Sequence, residues 1–300
     1  MTIRGLVDGR ISVDSILFAT DFSPASYAAS LYATALAEHF QSVLTLVHVF
    51  LPSQSAQEVK ARGGIVSEQR MLAQQKLELT TQALTPKGGT AKSLLLEGDP
   101  SVMLAKEANL SSVSMLVLGT HGGNRLERRL LGSVAENILR SSPIPTLTVG
   151  ERVATSGKTL PFRRILYATD SSPVAARAAP LACAFAKSFS AVLEVVSVID
   201  ENTGSVARIV AELDFHTQQE LGTQLAERCI HFEKPRGVAY SKHAHDEILR
   251  RIKQDNCDLL VLGIEQESSL GFVNRNSEAF RIIADAPCPV LTITDGSCRA

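Results

Sequence analysis

The chain repeats itself over a domain-sized interval, and this feature limits the possible folds more than any other. The segment ILFATDFSP at Ile16–Pro24 returns as ILYATDSSP at Ile165–Pro173, with seven of nine positions identical. A later segment, SSPIPTLTV at Ser141–Val149, returns as DAPCPVLTI at Asp285–Ile293. The offset falls from 149 residues to 144, so the second copy is five residues shorter. Such an interval predicts two tandem domains rather than a solenoid of short repeats. We place these domains at 12–150 and 162–295, joined by the polar, Gly- and Pro-containing segment GERVATSGKTLPF.

Each copy alternates short apolar runs with helical stretches. In the first copy the runs SILFAT, VLTLVHV, AKSLLL, MLVLG and TLTV are rich in branched side chains. Near-continuous apolar strands separated by helices are typical of a parallel sheet covered on both faces. The predicted fold class is therefore α/β, with two tandem doubly wound parallel five-stranded sheets and ligands at the carboxyl ends of the strands. The last strands, PTLTV and PVLTI, would be exposed apolar edges, so we expect them to pair in an intramolecular pseudo-dimer.

Composition and charge exclude several classes of protein. Apolar residues make up 45% of the chain and charged residues 20%, as in ordinary soluble domains. The 30 basic and 31 acidic residues nearly cancel, which argues against a dedicated nucleic-acid binder. No signal peptide and no long uncharged apolar run is evident, and five scattered cysteines fit a reducing compartment. We therefore expect a cytoplasmic protein without a membrane span.

The loop after the fourth strand of the first copy is suited to an anion. Gly119 and Gly122 follow the run MLVLG, and Gly132 and Ser133 precede the amphipathic run SVAENILRS. Glycines let backbone approach a ligand closely, and the free amides at a helix N-terminus favour phosphate. Neither a P-loop nor a G-x-G-x-x-G fingerprint is present. The sequence therefore indicates a phosphate-binding site of another kind.

Two charged features of these loops each have two interpretations. Asp21 can form an Asx-type hydrogen bond to nearby amides at the start of a helix. Alternatively, it can bind a ligand, either by accepting hydrogen bonds from ribose hydroxyls or by coordinating a metal ion bound to a phosphate. The arginines of the loop can neutralise phosphates or form an ordinary solvated surface: Arg125, Arg128 and Arg129. The residues alone leave both pairs of alternatives open.

Together these segments resemble a universal stress protein, with two family domains in one chain. The resemblance runs from about Ser12 to Thr294 and rests on ILFATDFSP, LTLVHV, EGDP and above all the G-x2-G-x9-G-S spacing. It implies the strand order 3-2-1-4-5 and binding of ATP or AMP, with or without Mg²⁺, across the strand ends. It also implies a set of nucleotide-binding residues: Ala19, Asp21, Val49, Gly119, Gly122, Gly132, Ser133 and Val134.

The second copy departs from this pattern. Gln266 stands in place of Gly122 and Asn276 in place of Gly132, whereas Gly263 is retained. The other retained residues are Asp170 and Ser277, and acidic residues stand near the expected phosphate positions: Glu265, Glu267 and Glu278. We expect a degenerate domain that binds nucleotide weakly or not at all.

Histidines raise the question of catalysis or metal binding. His48 lies within the second strand, and we interpret it as a packed, hydrogen-bonded core residue rather than a general base. In SKHAHDE, His243, His245 and Asp246 could hold a metal with His231 or Cys229, but a solvated loop is the favoured interpretation. We assign no catalytic and no metal-binding residue.

The leading functional hypothesis is a stress-response protein that senses or regulates through a bound adenine nucleotide and is not an enzyme. One alternative is weak ATP hydrolysis or phosphotransfer, although no Walker-type lysine is present. Another is an interaction module with vestigial sites. The sequence leaves open whether two chains associate into a homodimer.

Overall fold

The structure is a computed structural model. It describes residues 6–7, 10–51, 65–110, 112–120, 131–142, 144–154, 159–170, 172–200, 238–241, 244–264 and 276–294. The strands are β1 (Leu6–Val7), β2 (Arg10–Ile11), β3 (Ser15–Ala19), β4 (Val43–Phe50), β5 (Thr90–Glu97), β6 (Met115–Gly119), β7 (Thr146–Val149), β8 (Arg164–Thr169), β9 (Val192–Asp200), β10 (Val238–Ser241), β11 (Leu259–Ile264) and β12 (Val290–Thr294). The helices are α1 (Pro24–Phe40), α2 (Ile65–Ala83), α3 (Pro100–Ala108), α4 (Ser133–Ser141), α5 (Glu151–Ala154), α6 (Pro173–Phe189), α7 (Ala244–Gln254) and α8 (Asn276–Asp285).

The repeated segment TDxSP starts a helix in the same way in both copies. The hydroxyl of Ser23 accepts a hydrogen bond from the Ser26 amide at the start of α1, and Pro24 occupies the first turn. Ser172 makes the equivalent bond with the Ala175 amide at the start of α6. Local sequence therefore fixes where the chain leaves the first strand of each copy, next to the expected ligand site.

Ten strands form one continuous sheet in the order β10-β9-β8-β11-β12-β7-β6-β3-β4-β5, and β1 and β2 form a separate two-stranded sheet. Numbered within its own copy, each half has the order 3-2-1-4-5, and all neighbours within a half are parallel. The two halves meet where β12 pairs with β7 in antiparallel fashion, with Leu291 opposite Leu147. The doubly wound fold and the pairing of the last strands are therefore as predicted.

Aromatic side chains on one face of the sheet join the two halves into a shared core. Buried residues of α1 and α6 belong to the same hydrophobic cluster. Between ring centroids, Phe189 lies 4.1 Å from His39 and 5.8 Å from Phe40, and Phe162 lies 6.3 Å from Tyr32. Each half thus covers apolar surface of the other. Across the described ranges, no helix is long and apolar enough to cross a membrane.

Candidate functional site

A cavity of about 390 Å³ opens in the first copy at the carboxyl ends of β3, β4 and β6. The strand order reverses between β3 and β6, which is where doubly wound sheets bind their ligands. Seven of the eight residues implied by the resemblance line this cavity: Ala19, Asp21, Val49, Gly119, Gly132, Ser133 and Val134. Gly122 lies outside the described residues, as do the three loop arginines. Four separate chain segments therefore converge on one opening.

The walls of the cavity divide into an apolar part and a polar part. Val47, Val49, Leu104 and Leu118 supply apolar surface. The polar part includes the Asp21 carboxylate and the first residues of α4. A ligand with a flat apolar group and an anionic group would match both parts.

The N-terminus of α4 borders the cavity without a side-chain cap. Gly132 is its N-cap residue, and with no side chain it makes no capping hydrogen bond to the first-turn amides. Its backbone is extended, with φ −60° and ψ 144°, so any residue could adopt this conformation. The value of glycine here is therefore the access it leaves to the helix amides, where the positive end of the helix dipole favours an anion.

Gly119 has a packing role that the sequence did not reveal. A Cβ at Gly119 would lie 3.0 Å from the carbonyl carbon of Ala25 and 3.1 Å from the amide nitrogen of Ser26, in the first turn of α1. At the equivalent Gly263 a Cβ would lie 2.6 Å from the carbonyl carbon of Val174 in α6. The glycine at the end of the fourth strand thus lets a helix approach the sheet in both copies. It is needed whether or not a ligand binds, so it is a weaker sign of a ligand than the spacing suggests.

Asp21 uses only part of its carboxylate for local structure. Its Oδ1 accepts a hydrogen bond from the Ser23 amide at 3.0 Å, and Asp170 makes the same bond with the Ser172 amide at 2.9 Å. The Asx-type interpretation is therefore correct for both copies. Asp21 is exposed and makes no other hydrogen bond within the described part of the chain. Its Oδ2 is left available to a ligand in the cavity.

His48 is packed and hydrogen-bonded as predicted, although it is half-buried rather than deep in the core. Its Nδ1 lies 2.8 Å from the carbonyl oxygen of Thr20, so this nitrogen donates. Its ring lies 4.5 Å from the ring of Phe22, between centroids. The sequence alone does not reveal Phe22 and Thr20 as partners of this histidine, because only the register of β3 against β4 brings them together.

In the second copy a carboxylate already occupies the N-terminus of α7. Oε1 of Glu278 accepts a hydrogen bond from the backbone amide of His245 at 3.1 Å. At the 144-residue offset Glu278 corresponds to Val134, which lines the cavity of the first copy. The position that is apolar in the first copy therefore supplies an internal anion in the second.

Both ring nitrogens of His245 contact carboxylates. Nδ1 lies 2.8 Å from Asp246 Oδ1 and Nε2 lies 3.1 Å from Asp285 Oδ2. The other residues considered for a metal site, His243, His231 and Cys229, lie outside the described residues. No cluster of three or more ligating side chains suited to a metal occurs within the ranges that the structure describes. His245 instead belongs to a carboxylate network that reaches Arg152, whose guanidinium lies 3.0 Å from Asp285 Oδ1.

Comparison with known proteins agrees with this architecture. The model of the universal stress protein family matches residues 12–150 and 161–294. Universal stress protein MJ0531 of Methanocaldococcus jannaschii is 28% identical over 149 residues, covering 47% of this chain and 85% of that protein. Universal stress protein MJ0577 of the same organism is 34% identical over 77 residues, covering 26% of this chain and 48% of that protein. The crystal structure of a universal stress protein from Archaeoglobus fulgidus has a TM-score of 0.69 and 21% identity, covering 94% of this chain and 98% of that chain. The chain therefore belongs to the universal stress protein family, with two of the family's domains in tandem.

Proposed function

We propose that the first domain, residues 12–150, binds one adenine nucleotide, ATP or AMP, with or without Mg²⁺. The convergence of seven residues from four chain segments on one cavity carries this proposal. These residues are up to 115 positions apart in the chain, so the fold rather than local sequence brings them together. The protein then acts in the cytoplasm as a stress-response sensor or regulator rather than as an enzyme.

The cavity offers a surface for each part of such a ligand. The apolar wall formed by Val47, Val49 and Leu118 suits a base, which Val49 would contact largely through its backbone. Oδ2 of Asp21 can accept hydrogen bonds from ribose hydroxyls. The uncapped amides at Ser133 and Val134 can donate to phosphate.

We propose that the second domain, residues 162–295, is degenerate and leaves nucleotide binding to the first. Glu278 lies in the first turn of α8, the counterpart of α4, and its carboxylate accepts a hydrogen bond from the neighbouring N-terminus of α7. A phosphate at the N-terminus of α8 would therefore meet the charge of this carboxylate. Charge-assisted hydrogen bonds are worth about 1.5–3 kcal/mol each, so losing two of them weakens affinity by roughly a hundredfold or more.

The most informative experiment is mass spectrometry of small molecules released when freshly purified protein is denatured. We expect an adenine nucleotide, at no more than one per chain. The variant Gly132→Val should purify without it, because a branched side chain would cover the α4 amides while the extended backbone tolerates the change. Asn276→Val, at the matched position of the second copy, is the control and should retain the nucleotide. A folded Gly132→Val variant that binds nucleotide normally would place the site elsewhere.

A further inference from the structure

The loop that carries Asp21 contains a cluster of side chains around Phe22. Phe22 has φ 60°, in the left-handed region that bulky residues rarely adopt. Its ring centroid lies 4.5 Å from that of His48, with an angle of 43° between the rings. The ammonium of Lys76, from α2, lies 4.5 Å from the same ring centroid. Phe22 is therefore held in a strained conformation by contacts with two other elements.

His48 fixes the residues on both sides of Asp21. Its Nδ1 donates to the carbonyl oxygen of Thr20, and its ring packs against Phe22. The hydroxyl of Thr20 in turn accepts a hydrogen bond from the Phe22 amide at 3.0 Å. Asp21 thus lies between two neighbours that are held by contacts, and it lines the cavity.

The second copy forms the same turn without this cluster. Asp170 accepts from the Ser172 amide as Asp21 does from the Ser23 amide. At the 149-residue offset, Ser171 replaces Phe22 and Ser197 replaces His48. The aromatic pair is therefore not required to form the turn. It is present only in the copy that has the full set of expected binding residues.

We propose that Phe22 and His48 are positioning residues for ligand binding, which hold the Asp21 carboxylate ready to accept hydrogen bonds from ribose hydroxyls. The inference rests on the proposed nucleotide site. A group fixed in its binding orientation loses less freedom when the ligand arrives, so pre-organisation increases affinity without adding a contact. Phe22 does not line the cavity and acts through Asp21 alone. His48 also lines the cavity, so its positioning role is separated from direct contact by comparing ligands with and without ribose hydroxyls.

Calorimetric titration with ATP and with 2′,3′-dideoxy-ATP tests the proposal, because only ATP offers both ribose hydroxyls to Asp21. Phe22→Ser and His48→Ser introduce the residues of the second copy, in which Asp170 still accepts the hydrogen bond from the Ser172 amide. We expect each to weaken ATP binding by about tenfold and binding of the dideoxy analogue by less than about twofold. Phe22→Tyr keeps the ring and should restore the ATP affinity that Phe22→Ser loses. Tyr27→Ser is the matched control, because Tyr27 is an exposed aromatic residue in the nearby helix α1.

A double-mutant cycle with Asp21→Asn completes the test. If Phe22 acts through Asp21, Phe22→Ser should have no further effect in the Asp21→Asn background. Three results would each overturn the inference. They are equal losses of affinity for ATP and for the dideoxy analogue, additive losses of affinity in the double-mutant cycle, and unchanged ATP affinity in both serine variants. In the last case, a selective loss of ATP affinity in Asp21→Asn would leave the proposed nucleotide site standing. Failure of the wild-type protein to bind either ligand would instead overturn the proposed function.

Discussion

Substituting alanine for Gly119 should destabilise the protein even when no nucleotide is present. The added Cβ would lie 3.0 Å from the carbonyl carbon of Ala25 and 3.1 Å from its oxygen. Both are backbone atoms, so the first turn of α1 must move away from β6. Overpacking of this kind costs about 1–3 kcal/mol. Gly263→Ala should cost more, because its Cβ would lie 2.6 Å from the Val174 backbone.

Urea denaturation of the two variants, monitored by circular dichroism, measures these costs. Gly150→Ala is the matched control, because a Cβ there would meet its nearest atom, the Thr120 hydroxyl oxygen, at an ordinary 3.6 Å. We expect Gly150→Ala to be neutral or slightly stabilising, Gly119→Ala to lower the free energy of unfolding and Gly263→Ala to lower it further. Wild-type stability in Gly119→Ala and Gly263→Ala would refute the packing role. If Gly119→Ala also loses nucleotide affinity, displacement of α1 is a sufficient explanation.

We expect three other results from changes in buried residues and at the junction between the two halves. Partial burial lowers the pKa of His39 below its usual 6.5, so the unfolded state binds the proton more readily. Stability should hold above about pH 6.5 and fall only slightly below it, because the side chain remains exposed to solvent. His39→Phe should flatten this small dependence in urea titrations at pH 7.5 and 5.5. Burial raises the pKa of Cys257 to about 12, so mass spectrometry should show that iodoacetamide labels this thiol at pH 8 only after unfolding; rapid labelling of the folded protein would contradict this. Leu291→Ala, at the β7–β12 pairing, should lower the free energy of unfolding by about 2–5 kcal/mol, whereas the exposed Leu79→Ala should have little effect in the same assay.

The sequence predicted the parts of the fold that depend on local pattern and on the repeat. Apolar runs and Ser-Pro helix starts lie within each copy, so they predict strands and the starts of α1 and α6 without knowledge of distant contacts. The pairing of β7 with β12 followed because two apolar edge strands would otherwise be exposed. The order of the strands came from the family resemblance rather than from the pattern.

Contacts that depend on distances between elements could not be read from the sequence. The packing role of Gly119 could not be read from its spacing, which contains no information on how closely α1 approaches β6, although the residue also lines the cavity as expected. The contact between Phe22 and His48 depends on the left-handed φ of Phe22 and on strand register. A left-handed φ is expected from glycine but not from phenylalanine, and strand register cannot be read from the sequence. The acidic residues of the second copy were noted, but only the structure shows that Glu278 bonds to the amide of His245.

The most direct test of the central claim is the number of nucleotides that one chain binds. Calorimetric titration of nucleotide-free protein with ATP and Mg²⁺ should give a stoichiometry near one. In the first copy Gly132 at the start of α4 and the Asp21 loop border one cavity, whereas the second copy has Asn276 in place of Gly132. Gly132→Val should abolish the binding heat. Two equivalent sites per chain, or one site that survives Gly132→Val, would contradict the account.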